Sequence, residues 1–465
     1  MLSKKQAIEV LNAGLATGAD YAEIFIEDRT NYGYSVENGQ VKTSTVSNTF
    51  GAGIRLLNKL QSVYGYTNDV SKKGLLSLAS ALAHSFEGKQ QVFVTKLTTK
   101  NVKNKHPHLR PSAEVPAEEK IAWLKRGDKV MREESPKIVR TIASLSHYVN
   151  NIILINSKGF IYKDSKERGR AYFTCVASEG QKIEVGGVGP GASAGFEYFE
   201  KSLDVEKIAK EAAKSTLIML GAKECPSGKM PVVIGNGFGG VIFHEACGHA
   251  LEASAVSKNL SVFANKLGQQ IASPLVTAYD DGTIVNGWGS NNIDDEGNPT
   301  HRTLLIEKGI LKSYLIDDFN GRRMNAKGNG ACRRESYKYE PTSRMSNTYI
   351  DAGTSTPEEI IKATKLGLYA KSLGGGSVNP ATGEFNFGCS EAYIIRDGKV
   401  CEPVRGATLI GSGAEVLMHI DMVGNDLLRA QGMCGAASGS IPTDVGQPTI
   451  RVSEILVGGN GGELK

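Results

Sequence analysis

The sequence predicts an α+β fold: an N-terminal mixed α/β domain, a middle α+β domain and a large strand-rich C-terminal domain that carries a histidine-bearing helix. Three observations lead there. Strand- and helix-patterned segments follow one another without the regular alternation that a doubly wound sheet requires. Glycine makes up 54 of 465 residues, above the usual ~7%, which calls for many tight turns or close backbone approaches. A stretch holding three prolines and little apolar content separates the first two patterned regions.

Taken in order, KKQAIEVLNAGL from about Lys4 to Leu15 has helical spacing. AEIFIEDR, YGYSVENGQVK and FGAGIRLL read as strands, with Asn38-Gly39 as a turn. KKGLLSLASALAHSF returns to helical spacing through Leu75, Leu76, Ala79, Leu82 and Ala83. These elements form a domain over residues 1–96, and residues 97–116 read as a linker. The middle domain, 117–222, has a charged helix (AEEKIAWLKRGDKVMREE), strands (IVRTIASLSHYV, NIILIN, GRAYFTCVAS) and a closing helix, VEKIAKEAAKSTLIML. The C-terminal domain, 223–465, is strand-like at YLIDDF, AYIIRDGKV and TIRVSEILVGG. Helical patterns interrupt it at VIFHEACGHALEAS and TPEEIIKATKLGLYAKSL.

Composition narrows the function. A net charge of +5 with interspersed signs leaves no basic run of nucleic-acid type, so no direct nucleic-acid binding is expected. No apolar run approaches the ~18 residues of a membrane span, and the amphipathic N-terminus is not a signal peptide. Seven widely spaced cysteines without a CxxC pair point to a reducing compartment, the cytoplasm, rather than to a disulfide framework.

Three motifs compete for the chemistry. Gly235–Gly240 (GNGFGG) satisfies G-x-G-x-x-G between a strand and a helix. The acid that should follow about 20 residues later to bind a ribose is missing, so a glycine turn that lets the next helix pack closely is the favoured reading. Gly191–Gly195 (GASAG) satisfies G-x-S-x-G, but it lacks the flanking strand and helix of a nucleophile elbow and reads as a surface loop.

The third motif is His244-Glu245-Ala246-Cys247-Gly248-His249. Two imidazoles and a carboxylate are what a metal-dependent hydrolase needs, normally spaced H-E-x-x-H so that both histidines share a face. Here the histidines are five residues apart, which on a regular helix separates them by about 140°. Both reach one metal only if the helix widens to i→i+5, and Gly248 would ease that distortion. The alternative is a plain helix with His244 buried and hydrogen-bonded and His249 exposed.

Longer blocks add to this segment. They are HEACGHALEAS (His244–Ser254), IDDEGNPTHRT (Ile293–Thr303), GNGACRRESY (Gly328–Tyr337), RMSNTYIDAG from Arg344, FGCSEAYIIRDGK from Phe387, VRGATLIGSGAEVL from Val404, and MVGNDLLRAQGMCG ending at Gly435, followed by VGQPTIRV. In these the sequence resembles the TldD/PmbA metalloproteases, also known as modulators of DNA gyrase, and within them the catalytic TldD-like branch. The resemblance spans essentially the whole chain. It implies a zinc site of His244, His249 and Cys434, with Glu245 as general base. Cys434 lies 434 − 249 = 185 residues beyond the helix, and its alternative is a buried free thiol.

Glu252 stays a candidate to ligate or to orient His249, and His301 a minor substrate-side candidate. Arg333, Arg334 and Tyr337 are candidate substrate contacts, with loop salt bridges as the alternative; Cys247 is read as packing. The resemblance further implies a zinc-dependent peptidase acting on peptides or unfolded polypeptides in a homodimer or a heterodimer with a paralogous TldE/PmbA-like subunit. The competing function is a non-catalytic partner subunit or a gyrase-modulating binding protein.

Overall fold

Side chains on a strand alternate between faces, and the first long strand uses both. In the computed structural model, which describes residues 2–379 and 382–464, Tyr21–Glu37 and Gln40–Asn58 form an antiparallel hairpin. Its turn is Asn38-Gly39, both residues with positive φ. YGYSVENGQVK is therefore not a separate strand but the tip of this hairpin. Ile24, Ile26, Ala52, Ile54 and Leu56 lie under the helices Lys4–Leu15 and Lys72–Ala83. Glu23, Phe25 and Glu27, on the other face, meet the C-terminal part of the chain.

Tyr21–Glu37 also pairs with Ile138–Asn156. Residues from the 1–96 and 117–222 regions thus build one eight-stranded sheet, which also takes in Phe160–Glu179 and Thr98–Asn101. At its far end the helices Ala117–Glu133 and Val205–Gly221 cover Ala143, Leu145, Ala171 and Phe173. The 97–116 stretch is held against the chain: Leu97 is buried and the Lys105 N–H donates to Asn292 Oδ1 at 2.7 Å.

The C-terminal part has a second eight-stranded sheet, in which Leu366–Val378 pairs with both Gly228–Ile234 and Glu384–Arg396. A six-stranded sheet ends at the edge strand Leu428–Ala436, next to Gly439–Gln447. One apolar core joins both sheets to the histidine segment. Two local expectations fail here. Tyr314–Phe319 is not a strand, because Asp317 caps a helix over Asp318–Met324. The helix begun by the Thr356 capping box ends at Lys362, and the chain from Leu366 joins the sheet instead. Its apolar positions there are buried by strand neighbours, which outweigh helical spacing.

A buried ion network locks the first sheet onto the C-terminal part. Arg55, opposite Glu23 in the ladder, contacts Glu23 at 2.9 Å and Glu296 at 2.7 Å, and Arg334 reaches the other Glu23 oxygen at 2.7 Å. Removing one member strands charges away from water, so Arg55→Met should cost about 3–5 kcal/mol. The urea unfolding midpoint reads this, and an unchanged midpoint would show that the network contributes nothing.

Candidate metal centre

The segment after Gly228–Ile234 enters the core through closely packed glycines. A Cβ on Gly240 would sit 2.5 Å from Gly446 backbone, and one on Gly239 would sit 2.7 Å from Gln447 Nε2. GNGFGG is thus a packing turn, as its missing ribose acid implied. The helix then changes pitch. Val241–Phe243 is an α-turn, His244–Gly248 is a π-turn in which the His249 N–H donates to the His244 carbonyl, and His249–Leu251 tightens to 3₁₀. This is the i→i+5 widening that the five-residue spacing demanded.

Gly248 has another purpose than easing that bend. Its φ of −53° and ψ of −53° are helical, but a Cβ there would lie 2.1 Å from Met345 Sδ. Gly413 is likewise bare against the Ala246 carbonyl, 2.1 Å from where a Cβ would stand. Close packing from both sides holds the distorted turn in place.

The π-turn brings the two imidazole rings to 5.0 Å between centroids, at 82° to each other. Cys434 faces both from its place opposite Ile441 on the edge hairpin. Its Sγ lies 3.1 Å from His244 Nε2 and 3.2 Å from His249 Nε2. The three donor atoms fall within 4.8 Å of one another. His249 is not exposed as the plain-helix reading required; its side chain keeps 11% of its accessibility, against 23% for Glu245. The Glu245 carboxylate is 3.6 Å from His249 Nε2, at the open side of the cluster.

Glu252 approaches the other nitrogen, Nδ1 of His249, at 3.3 Å. It does so from extended backbone just past the helix end rather than from the same helical face. Since Cys434 sits at Nε2 and Glu252 at Nδ1, the carboxylate is placed to orient the ring.

Arg344, fully buried, was not singled out in the sequence. It donates to the Cys434 carbonyl, to the Gly439 carbonyl and to Ser438 Oγ, and its Nε is 3.8 Å from Glu252. One guanidinium therefore ties the cysteine hairpin to the carboxylate behind His249. An isolated arginine carries no sequence signal for such a role.

Charge in the cluster follows from these contacts. Burial pushes the Cys434 thiol up, but His244 and then His249, by charge and hydrogen bonding, pull it down to about 3. Burial opposes a proton on His249, yet the Glu252 carboxylate and the Cys434 sulfur hold it above the ordinary imidazole value. These contacts favour the thiolate form of Cys434, the form that ligates metals. Cys247 packs in the apolar core, where burial pushes its thiol well up.

The donor set suits zinc. Two imidazoles and a thiolate are borderline-soft ligands, and three of them leave a fourth position open. Tetrahedral zinc sets nitrogen and sulfur about 3.5 Å apart; the 3.1 and 3.2 Å spacings here are a few tenths shorter, so loading needs only a slight outward movement.

The other candidates lie elsewhere. Arg333 donates to the Met345 and Pro442 carbonyls, and Arg334 pairs with Glu23. The Tyr337 N–H donates to Glu27, and its ring packs against Phe25. Arg334 and Tyr337 join the two halves of the chain, and Arg333 braces the Cys434 hairpin from within the C-terminal part; none of the three bonds to the metal-site donors. His301 is exposed. Ser193 is buried and donates to the Glu167 carbonyl, so GASAG is neither a nucleophile elbow nor a surface loop. Its small residues let the chain pass beneath Arg110, whose carbonyl would lie 2.3 Å from a Cβ on Gly195.

Fold and centre together define the class: an α+β chain with a histidine–cysteine cluster that could hold a metal ion. Profiles of the PmbA/TldA metallopeptidases match in order, domain 1 over residues 22–85, the central domain over 110–220 and the C-terminal domain over 227–459. The chain belongs to the PmbA/TldD family. A metalloprotease TldD homolog of Buchnera aphidicola subsp. Schizaphis graminum is 36% identical over 448 residues, covering 95% of this chain and 93% of that protein. A metalloprotease TldD homolog of Haemophilus influenzae is 36% identical over 467 residues, covering 98% and 97%. Among solved structures, TldE from Thermococcus kodakarensis superposes with a TM-score of 0.76 at 19% identity, covering 97% of this chain and 99% of that one. That last likeness concerns the fold. Among the described residues, no helix is long and apolar enough to cross a membrane.

Proposed function

We propose that the chain is a zinc-dependent peptidase, with His244, His249 and Cys434 as metal ligands and Glu245 as general base. The observation that carries this reading is the convergence of those three donors beside a partly exposed carboxylate. Zinc, when bound, supplies Lewis acidity, polarising a carbonyl and easing the ionisation of water. The chain's own part is to move the proton: Glu245 accepts it from the attacking water and returns it to the leaving amine. Glu252 and Arg344 hold His249 and the Cys434 strand in register meanwhile.

The substrates in this reading are peptides or unfolded polypeptides. Leu428 and Met433, both exposed on the edge strand that carries Cys434, offer apolar contact to an extended chain. The working assembly is a homodimer or a heterodimer with a TldE/PmbA-like subunit, in the cytoplasm. All seven cysteines are free, in keeping with a reducing compartment.

The test is a digest of an unstructured peptide library by protein purified without a histidine tag. Cleavage should accompany about one zinc per chain, stop with a chelator and return with added zinc. Cleavage that persists after the metal is removed, or full zinc content with no cleavage in either assembly, would overturn the reading.

A further inference from the structure

The outer face of the first sheet gathers positive charge that the nearby carboxylates neutralise only in part. On Phe160–Glu179 the helix-facing positions are Ala171, Phe173 and Cys175. By alternation Lys166, Arg168 and Arg170 share the opposite face. In the ladder they follow Asn150, Tyr148 and Ser146, and Arg29 stands opposite Asn150 on the next strand. This face lines a cavity of about 360 Å³, closed by Trp288, Arg333, Arg334 and the Cys434 hairpin at Met433, Ser440, Ile441 and Pro442. That volume is within the range of small-ligand sites.

The cavity is lined by six basic side chains and three acidic ones. The acids are already engaged. Glu27 accepts from the Tyr337 N–H and from Asn150, Asp295 from the Arg334 N–H and Lys166, and Glu335 from the Ser440 N–H. Burial also pushes the Glu27 carboxyl above its ordinary value. Among the described residues, no carboxylate lies within 4.0 Å of Arg29, Arg168, Arg170 or Arg333. Arg168 is buried with only neutral partners: the Trp288 and Ser290 carbonyls, Asn291 and the Tyr148 hydroxyl. Burial, then Arg168 and Arg344, depress Arg333 to about 10.

Donors remain free as well. Arg29 uses only its Nε, toward Asn31, while its guanidinium lies 3.8 Å above the Tyr148 ring. Arg170 spends Nε and one terminal nitrogen on the Gly189 and Gln431 carbonyls. Arg334, 6% exposed, keeps Nε and Nη1 without a partner. Like charges on adjacent same-face positions of a sheet repel, and buried cations without counter-charge are costly. An anion relieves both.

We propose that this cavity is a binding site for an oxyanion-bearing group, a carboxylate or a phosphate, gripped by Arg29, Arg170 and Arg334 in the field of Arg168 and Arg333. Its floor is the hairpin that holds Cys434, so a peptide carboxylate and a free polyanion are the two sources of that chemistry. Binding there requires neither metal loading nor cleavage.

Binding is read by calorimetry and by the fluorescence of Trp288, one of two tryptophans, whose indole donates to the Gly432 carbonyl beside the cavity. The full chain is titrated with citrate, inorganic phosphate and a matched peptide pair ending in a free carboxylate or an amide, at ionic strength held constant with chloride. Saturable binding is expected, weakened about tenfold or more in Arg29→Gln and kept within about threefold by Arg29→Lys, since a charge-assisted hydrogen bond is lost in one and a charge retained in the other. Arg170→Gln, read the same way, serves if the first variant does not fold. Preference for the free-acid peptide over its amide assigns the site to substrate; binding of citrate or phosphate with no such preference assigns it to a free anion. No saturable binding of any probe, or affinity in both glutamine variants unchanged from that of the unaltered chain, would overturn the proposal and leave the peptidase reading untouched.

Discussion

A Glu245→Gln chain is expected to keep its metal and its fold while peptide cleavage falls by about 10²- to 10⁴-fold, the usual contribution of a positioned general base. The amide has nearly the shape of the carboxylate, and Glu245 is the least buried member of the centre, so the substitution disturbs little packing. What it removes is the ability to accept a proton at the open side of the cluster. Zinc content and cleavage rate measured on the same sample separate the two effects. Retained cleavage would take Glu245 out of the mechanism; zinc lost together with activity would make it a ligand instead.

The second large effect belongs to Cys434. Cys434→Ala should lower zinc affinity by more than the about 10–100-fold typical of losing a partner behind a ligand. Two histidines alone are left, and the thiolate is the one anionic member of the donor set. Glu252→Gln supplies the comparison, with an expected loss inside that 10–100-fold range, because Glu252 meets His249 at Nδ1, away from the cysteine. Competition with a chromogenic chelator measures both. Equal zinc affinity in Cys434→Ala and the unaltered chain would remove the cysteine from the site.

Much of the local architecture was legible in the amino-acid sequence. The helix over Lys4–Leu15, the Asn38-Gly39 turn and the closing helix of the middle region follow from spacing, capping and turn chemistry, which act over a few residues. The His244–His249 spacing even stated its own condition: a metal site there requires an i→i+5 turn, and that turn is present. Where local pattern and sheet pairing disagreed, as from Leu366 onward, pairing prevailed. Burial of the strand's apolar side chains exceeds the few tenths of a kcal/mol that separate helix propensities.

Sequence by itself determined the class of fold, the family resemblance and the pair of histidines with their glutamate. Tertiary structure alone decided the rest. A ladder register set Cys434 opposite Ile441 and so beside both imidazoles, and a fully buried Arg344 bound that hairpin to Glu252. Pairing of Tyr21–Glu37 with Ile138–Asn156 merged two regions of sequence into one sheet and turned Lys166, Arg168 and Arg170 toward a shared cavity. The physical reason is range. Backbone preferences and capping bonds act over a few neighbouring residues, whereas Cys434 and His249 meet across 434 − 249 = 185 residues of chain. Only the summed burial and hydrogen bonding of whole sheets can bring such positions within 3.2 Å.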